Sequence, residues 1–232
     1  MEERKFLNKS EQRKFVLERR RAVTGPEISE KSGLICARLL QLPELQKAGL
    51  ILSYMPTYDE ADVSGLNQSL RAMGKRLCYP VTAGGGIMSA YEPDSPDDFA
   101  EKRYGILEPI TGRSKPVSPG DIDAIILPCV AFDDKLRRLG HGAGYYDRFL
   151  PLCKKAVKIA AAFALQQLDE IICDSHDISM DLVVTEEKIF KNEKNIPPGG
   201  LKCRFCPVKI VSSNNRRGAE LCIWQTLYWP RQ

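Results

Sequence analysis

The sequence has little histidine and no long apolar run. His141 and His176 are its only histidines, which excludes a histidine-rich metal site. No segment approaches the roughly 20 apolar residues that a membrane-spanning helix needs, so we expect no membrane partner. The N-terminal stretch MEERKFLNKSEQRKF is charged throughout and lacks the apolar region of a secretory signal. We therefore predict a soluble protein of the cytoplasm.

Basic residues are concentrated at the two ends of the chain, whose formal net charge is +4. Residues 1–21 hold eight Lys/Arg and four Glu, which is +4, and residues 191–232 hold eight Lys/Arg and two Glu, which is +6. Residues 22–190 hold 18 Lys/Arg and 24 Asp/Glu, which is −6. A nucleic-acid-binding domain typically spreads basic residues over its core as well. We therefore predict no nucleic-acid partner.

Eight cysteines occur in a chain too long to be a disulfide-stapled mini-domain. Four of them lie in apolar runs: Cys36, Cys78, Cys129 and Cys173. There a thiol packs as a small apolar group, so we predict reduced core cysteines. Cys203 and Cys206 form one C-x-x-C motif, and with Cys222 they still offer fewer than the four ligands of a structural zinc site.

Apolar strands alternate with helical segments along most of the chain. Strands are predicted over 48–54, 76–81, 87–92, 124–128, 157–163 and 182–184, and helices over 4–23, 26–42, 62–73 and 145–156. Continuous apolar strands separated by helices are typical of a mainly parallel sheet covered on both faces. We predict one three-layer α/β/α domain over residues 1–191 and a basic, poorly ordered extension over 192–232. Segment 93–121, rich in Pro, Gly and Asp, is predicted to be mostly surface loop.

The segment RRLGHGAGYYDRFL, residues 137–150, has the strongest functional pattern. Three alternating glycines follow a buried strand and precede a helix, where backbone N–H groups can surround phosphate oxygens. Arg137 and Arg138 add positive charge. A plain turn stays open as the alternative, because the segment has neither a Walker GK[ST] motif nor a dinucleotide fingerprint.

Other charged residues lie where they could complete such a site. Asp147, one turn into the helix, either complements the helix dipole or binds Mg²⁺ beside phosphates. Asp177 or Asp181 would then supply the second carboxylate. Lys9 and Arg13, spaced i and i+4, share a helix face that is either a solvated surface or an anion clamp.

Glu60 follows the first strand, within YMPTYDEADV. Ligands of parallel sheets bind at the carboxyl ends of strands. A carboxylate there, beside Met55, can accept hydrogen bonds from the N–H groups of a flat heterocycle, although a solvated loop acid is the alternative. Arg19, Arg20 and Arg21 are predicted to be surface charge.

In combination these segments resemble the 5-formyltetrahydrofolate cyclo-ligase family, also called methenyltetrahydrofolate synthetases. The resemblance covers roughly residues 5–190. It rests on the Lys9/Arg13 helix, YMPTYDEADV, RYGILEP, VAFDDKLRRLGHGAGYYDRFL and HDISMDLVVTE, in that order. Two positions depart from the family pattern: Leu136 stands where the family often has Gly, and Ala143 where some members have Lys.

The resemblance implies a fold, a reaction and its cofactors. The expected enzyme uses ATP and Mg²⁺ to convert 5-formyltetrahydrofolate into 5,10-methenyltetrahydrofolate, by phosphorylation of the formyl oxygen, with ADP and phosphate as products. The expected partner is this small-molecule substrate, and the expected state is a monomer, with a dimer as the alternative. Two other functions stay open: a different ATP-using enzyme on the same scaffold, and a nucleic-acid-binding relative that acts through its basic ends.

The resemblance also implies roles for single residues. Arg138, Tyr145 and Glu60 are expected to be catalytic, and Asp147 and Asp177 to bind the metal. The expected ATP-binding residues are Lys9, Arg13, Arg138, Leu139, Gly140, His141, Gly142, Ala143, Gly144, Tyr145 and Tyr146. The expected substrate-binding residues are Met55, Glu60, His141, Gly142, Gly144 and Tyr145.

Overall fold

The computed structural model describes residues 6, 8–102 and 105–191. The strands in this part of the chain are β1 (Leu50–Leu52), β2 (Arg76–Ala83), β3 (Ile87–Glu92), β4 (Phe99–Glu101), β5 (Leu107–Pro109), β6 (Lys115–Val117), β7 (Ala124–Pro128), β8 (Ala131–Phe132), β9 (Arg138–Leu139), β10 (Val157–Ala161), β11 (Leu182–Val184) and β12 (Ile189–Lys191). The α-helices are α1 (Lys9–Arg21), α2 (Gly25–Leu40), α3 (Pro43–Lys47), α4 (Ser64–Ala72) and α5 (Tyr145–Phe149). The predicted extension 192–232, with its C-x-x-C motif, lies outside the described residues.

An eight-stranded sheet has the strand order β12-β11-β10-β7-β1-β2-β3-β6. The five strands from β11 to β2 are parallel, and the edge strands are added antiparallel. The chain passes from β1 to β2 on one side and from β7 to β10 on the other, so the strand order reverses between β1 and β7. In open α/β sheets ligands bind at the carboxyl ends of the strands beside such a reversal. The predicted mainly parallel sheet is confirmed.

Two apolar clusters cover the two faces of this sheet. Ile51 and Ile126 face α2 and α4 in one cluster, whereas Leu52 and Leu127 face Phe149 of α5 in the other. The four strand residues are fully buried. Alternate residues of a strand point to opposite faces, so each central strand contributes to both clusters. The predicted α/β/α layering is confirmed.

Some element boundaries differ from the prediction. Segment 93–121 contains β4, β5 and β6, with β4 paired to β5 and β6 paired to β3, so the prediction of mostly loop was wrong in part. These strands are three residues long, too short for a hydrophobic period to reveal them. The helix predicted over 145–156 ends at Phe149 and continues as a 3-10 turn, Leu150–Leu152. Pro151 lies in that turn and has no N–H with which to extend the helix.

The cysteines of the described chain are free thiols. Burial raises the pKa of both Cys78 and Cys129 to about 12, so these thiols are protonated and unreactive, as expected of core cysteines. Cys173 is exposed, so its predicted place in the core was wrong. The apolar run before it leaves the core within two residues, since Ile171 is buried and Ile172 only partly buried. No described helix is long and apolar enough to cross a membrane.

Candidate functional site

The connections that follow β1 and β7 meet at the carboxyl edge of the sheet. Glu60 Oε1 lies 3.5 Å from His141 Nε2. The Thr57 backbone N–H donates to Glu60 Oε2 at 3.0 Å. Glu60 is 6 % exposed, whereas His141 is open to solvent. Two segments that the sequence marked separately are therefore brought together where the strand order reverses.

Glu60 is held in its ionised form. Burial alone would raise the pKa of its carboxyl group. The hydrogen bond from His141, the Thr57 N–H and the positive charge of Arg20 outweigh burial and lower the pKa below its ordinary value. An ionised carboxylate only accepts hydrogen bonds, so Glu60 is suited to a ligand that presents N–H donors.

Arg20 supports the loop that carries Glu60. Its guanidinium donates to Asp59 Oδ2 from Nε at 3.0 Å and from Nη2 at 2.9 Å, and Arg20 is 2 % exposed. The prediction of surface charge was wrong for Arg20, although its two neighbours are exposed. Gln12, Val16 and Arg20 form the buried face of α1. Their spacing of four residues is a sequence signal from which this face could have been predicted.

Residues 140–144, here called the glycine segment, lie against two guanidinium groups. Arg13 Nε donates to the Gly140 carbonyl at 2.8 Å. Gly142 has a φ of +98°, and a Cβ there would lie 3.3 Å from Arg13 Cζ. A Cβ at Gly140 would lie 3.1 Å from Arg138 Nη1. The glycines therefore leave room for Arg13 and Arg138, which together suit an anion such as phosphate.

Arg138 joins the glycine segment to the helix that follows it. Its Nη2 donates to Asp147 Oδ1 at 3.1 Å, and its side chain is 4 % exposed. The guanidinium carbon lies 5.4 Å from the ring centre of Tyr146. Arg138 Nε is buried and has no hydrogen-bond partner among the described residues. That N–H is a donor that a ligand oxygen could satisfy.

Arg148 ties the glycine segment to the turn between β2 and β3. It donates from Nε to the Gly86 carbonyl at 2.9 Å and from Nη2 to the Ala143 carbonyl at 2.5 Å. The Tyr145 hydroxyl likewise donates to the Ala83 carbonyl at 3.4 Å. Sequence patterns did not indicate these contacts, because two of them join residues 62 positions apart. They orient the first turn of α5.

Lys9 lies among acidic residues in the connection from β10 to β11. Its Nζ donates to Asp174 Oδ2 at 2.6 Å and also to Asp177. Burial alone would raise the pKa of Asp177, but Lys9 and the Asp174 N–H lower it below the ordinary value. Burial alone would lower the pKa of Lys9, but the two carboxylates raise it. Lys9 and Asp177 are therefore a charged pair.

One group of side chains could hold a metal ion within the described chain. Asp174, His176 and Asp177 each offer a ligand atom, and these atoms lie within 4.8 Å of one another. Mg²⁺ binds carboxylate oxygens. The Lys9 ammonium pairs with both Asp174 and Asp177, so a positive charge is already held between these two carboxylates. Asp147 is paired with Arg138 and lies outside this group. The donors at Asp177 are of the kind that binds Mg²⁺, and the expected metal-binding roles of Asp177 and Asp147 both stay predictions.

Leu136 has the backbone conformation of a glycine. Its φ is +62°, in the left-handed region that favours glycine. Its N–H donates to the Asp133 carbonyl at 3.0 Å, and its carbonyl accepts from the Met180 N–H at 2.9 Å. The buried Asp133 carboxylate accepts three backbone N–H bonds of 3.0 Å. These hydrogen bonds hold the turn before Arg138 in spite of a strain of ~1–2 kcal/mol.

The other expected site residues have ordinary structural contacts. Met55 is partly buried and packs on the apolar cluster that α2 and α4 form with the sheet. Leu139 is buried beside Val16 of α1. Met55 and Leu139 therefore shape the edge of the site by packing.

Comparisons with known proteins identify the family of the chain. A family model described as the 5-formyltetrahydrofolate cyclo-ligase family matches residues 6–186. The chain is 32% identical over 181 residues to a probable 5-formyltetrahydrofolate cyclo-ligase of Schizosaccharomyces pombe, covering 71% of this chain and 88% of that protein. It is 29% identical over 183 residues to the 5-formyltetrahydrofolate cyclo-ligase of Escherichia coli K12, covering 76% and 100%.

Solved structures share the fold. The NMR structure of Aquifex aeolicus 5,10-methenyltetrahydrofolate synthetase matches with a TM-score of 0.72 and 32% identity, covering 84% of this chain and 98% of that one. A 5,10-methenyltetrahydrofolate synthetase from Mycoplasma pneumoniae matches in fold with a TM-score of 0.64 and 24% identity, covering 78% and 99%. From the matched residues 6–186 and these identities, the chain belongs to the 5-formyltetrahydrofolate cyclo-ligase family.

Proposed function

We propose that this chain converts 5-formyltetrahydrofolate into 5,10-methenyltetrahydrofolate at the expense of ATP, which becomes ADP and phosphate. Family membership supports the reaction class. The observation that carries the proposal is the meeting of ionised Glu60 with the glycine segment, which Arg13 of α1 and Arg138 contact, beside the reversal of strand order. One side offers an acceptor for ring N–H groups, and the other offers cations for phosphates.

The proposed chemistry has two steps. The formyl oxygen attacks the γ-phosphorus, so an O–P bond forms while the bond to ADP breaks. The N10 lone pair then attacks the formyl carbon, N10 loses its proton, and the C–O bond to phosphate breaks as the ring closes. Negative charge shifts among phosphate oxygens in both steps, and the protein contributes by positioning and by stabilising that charge.

The residues of the site divide between the two ligands in this proposal. Arg13 and Arg138 hold the phosphates, and the unpartnered Arg138 Nε supplies a further N–H donor. Glu60 orients the folate ring by accepting its N–H hydrogen bonds, with Met55 beside it. Tyr145, at the start of α5, lies between the two ligands.

The metal-binding part of the proposal rests on Asp177, with Asp147 as the second expected ligand. A bound Mg²⁺ would neutralise charge on the phosphate oxygens. Lys9 keeps the pKa of Asp177 low, so the carboxylate is ionised and ready to bind a cation at neutral pH.

An absorbance assay tests the proposal. Purified protein with 5-formyltetrahydrofolate, ATP and Mg²⁺ should form methenyl product, seen by its near-ultraviolet absorbance, and should form none without ATP. Absence of product from folded protein would overturn it. Thermal shift then distinguishes the proposed enzyme from a different ATP-using enzyme, because a ligand at 100 times its Kd stabilises the folded protein by ~2.7 kcal/mol. Stabilisation by ATP without stabilisation by the folate would indicate a different ATP-using enzyme.

A further inference from the structure

A buried glutamine joins α1 to the part of the chain that carries Asp174 and Asp177. Gln12 is 1 % exposed. Its Nε2 donates to the Glu170 carbonyl at 2.6 Å, and its Oε1 accepts from the Ile172 N–H at 3.1 Å. A carbonyl needs a donor and an N–H needs an acceptor, so the two ends of the amide have fixed roles. Both ends of one buried side chain therefore bond to the same short stretch of backbone.

That stretch belongs to residues 168–181, which contain neither helix nor strand. Without a regular ladder of hydrogen bonds, the position of this segment depends on bonds from other parts of the chain. The Ile171 N–H donates to the Asp133 carboxylate at 3.0 Å, and the Met180 N–H donates to the Leu136 carbonyl at 2.9 Å. Between these two points α1 reaches the backbone of the segment through Gln12.

The neighbours of Gln12 on α1 are the expected phosphate-binding residues. Lys9 precedes it by three positions and Arg13 follows it directly, so the three side chains lie close together on the helix. Lys9 also pairs with Asp174 and Asp177, but a metal ion would compete with its ammonium for these carboxylates. The hydrogen bonds of Gln12 go to backbone groups, for which a metal ion at the carboxylates does not compete.

We propose that Gln12 is a positioning residue for the complex of Mg²⁺ with ATP. It fixes Asp177 relative to Lys9 and Arg13, so the expected metal ligand and the expected phosphate ligands are presented together. The inference rests on the proposed function, because it requires ATP and Mg²⁺ at this site. An apolar side chain of similar size would fill the same space but would leave a carbonyl and an N–H of the segment without their partners.

The test compares the binding of ATP with and without Mg²⁺. Gln12→Met keeps an unbranched side chain of similar length and removes both hydrogen bonds. We expect the calorimetric Kd of the Mg²⁺–ATP complex to rise roughly tenfold, as for the loss of two neutral hydrogen bonds. The Kd of ATP in the presence of EDTA should stay within about twofold, because Arg13 and Arg138 are unchanged. The Kd of 5-formyltetrahydrofolate should likewise stay within about twofold, because Glu60 is unchanged.

Leu45→Ala is the matched control for lost stability. Leu45 is also 1 % exposed, and it lies in α3, next to the amino end of β1 and away from the carboxyl edge of the sheet. Urea denaturation should show a loss of stability in both variants, since each removes buried contacts. The ratio of the two ATP Kd values, with EDTA and with Mg²⁺, should fall in Gln12→Met and stay unchanged in Leu45→Ala.

Each result has a defined meaning. Equal weakening of ATP binding with and without Mg²⁺ in Gln12→Met, or no weakening, would overturn the inference. The same fall of the ratio in Leu45→Ala would also overturn it. If the wild-type protein binds ATP more tightly with Mg²⁺ and forms no product, the proposed function fails while the ratio still tests Gln12. If Mg²⁺ has no effect on ATP binding by the wild-type protein, the metal-binding part of the proposed function and the inference are both overturned.

Discussion

Helix α1 carries ion pairs of opposite character at its two ends. Lys9 bridges Asp174 and Asp177 with side chains that are 16%, 57% and 15% exposed. Arg20 pairs with Asp59, and these side chains are 2% and 9% exposed. The Lys9 pairs are partly exposed and exchange their partners for water or a ligand at less cost than the Arg20 pair, which is buried and leaves an uncompensated charge when it loses one partner. The Lys9 end is therefore suited to a charged ligand, and the Arg20 end to holding the Glu60 loop in place.

Arg20→Met should break this contrast most severely. It leaves Asp59 buried without its partner, and we expect the free energy of unfolding to fall by ~3–5 kcal/mol. Urea denaturation measures the loss. Arg21→Met, at an exposed neighbour, is the control and should change stability by less than ~0.5 kcal/mol. Equal losses in the two variants would show that the buried pair has no special part in stability.

Glu60→Gln should act on folate binding. It keeps the size of the side chain but removes the charge and replaces one acceptor with a donor. We expect the kcat/KM measured with 5-formyltetrahydrofolate to fall about tenfold to a hundredfold, with the KM for ATP nearly unchanged. Steady-state kinetics with each substrate varied in turn measure the split. Glu30→Gln, on the exposed side of α2, is the control. A similar change in both KM values would remove Glu60 from the folate side.

The lowered pKa of Glu60 also fixes the sign of a pH effect. Its ionised form stabilises the folded protein above the unfolded pKa, about 4.5, and this contribution is lost as pH falls through the lower folded pKa. Calorimetric folate affinity should therefore show no titration of Glu60 between about pH 7 and pH 5. A step above pH 5 that disappears in Glu60→Gln would contradict the lowered pKa.

Lys9→Met should have the smallest effect on stability. Because its partners are partly exposed, we expect a loss below ~1 kcal/mol. The loss should shrink between about 0.05 M and about 0.5 M salt by a larger fraction than the loss from Arg20→Met, because salt screens the more exposed pair with Asp174 more than the buried pair with Asp59. Denaturation at the two salt concentrations measures both. A loss from Lys9→Met that is independent of salt would remove the contrast between the two ends of α1.

The sheet could be predicted because its strands leave a local pattern. The run in β7 is apolar throughout, and β10 is apolar apart from Lys158, as expected of parallel strands buried on both faces. Glu60 and the glycine segment were predicted for a similar reason, since each follows a strand. Arg20 and Arg148 were not, because their partners lie 39 and 62 positions away. Contacts of that kind depend on tertiary packing and leave no period in the sequence.

The length of α1 has a mechanical consequence. Lys9 and Arg20 lie on one continuous helix, eleven residues apart, which is about 16 Å along the axis. The helix is a rigid spacer between the acidic residues near β11 and the loop after β1. One residue inserted between Arg13 and Arg20 would rotate one end by about 100° relative to the other, so only one set of contacts could form. The number of residues between Lys9 and Arg20 in α1 therefore sets the distance and the relative orientation of the two sets of contacts.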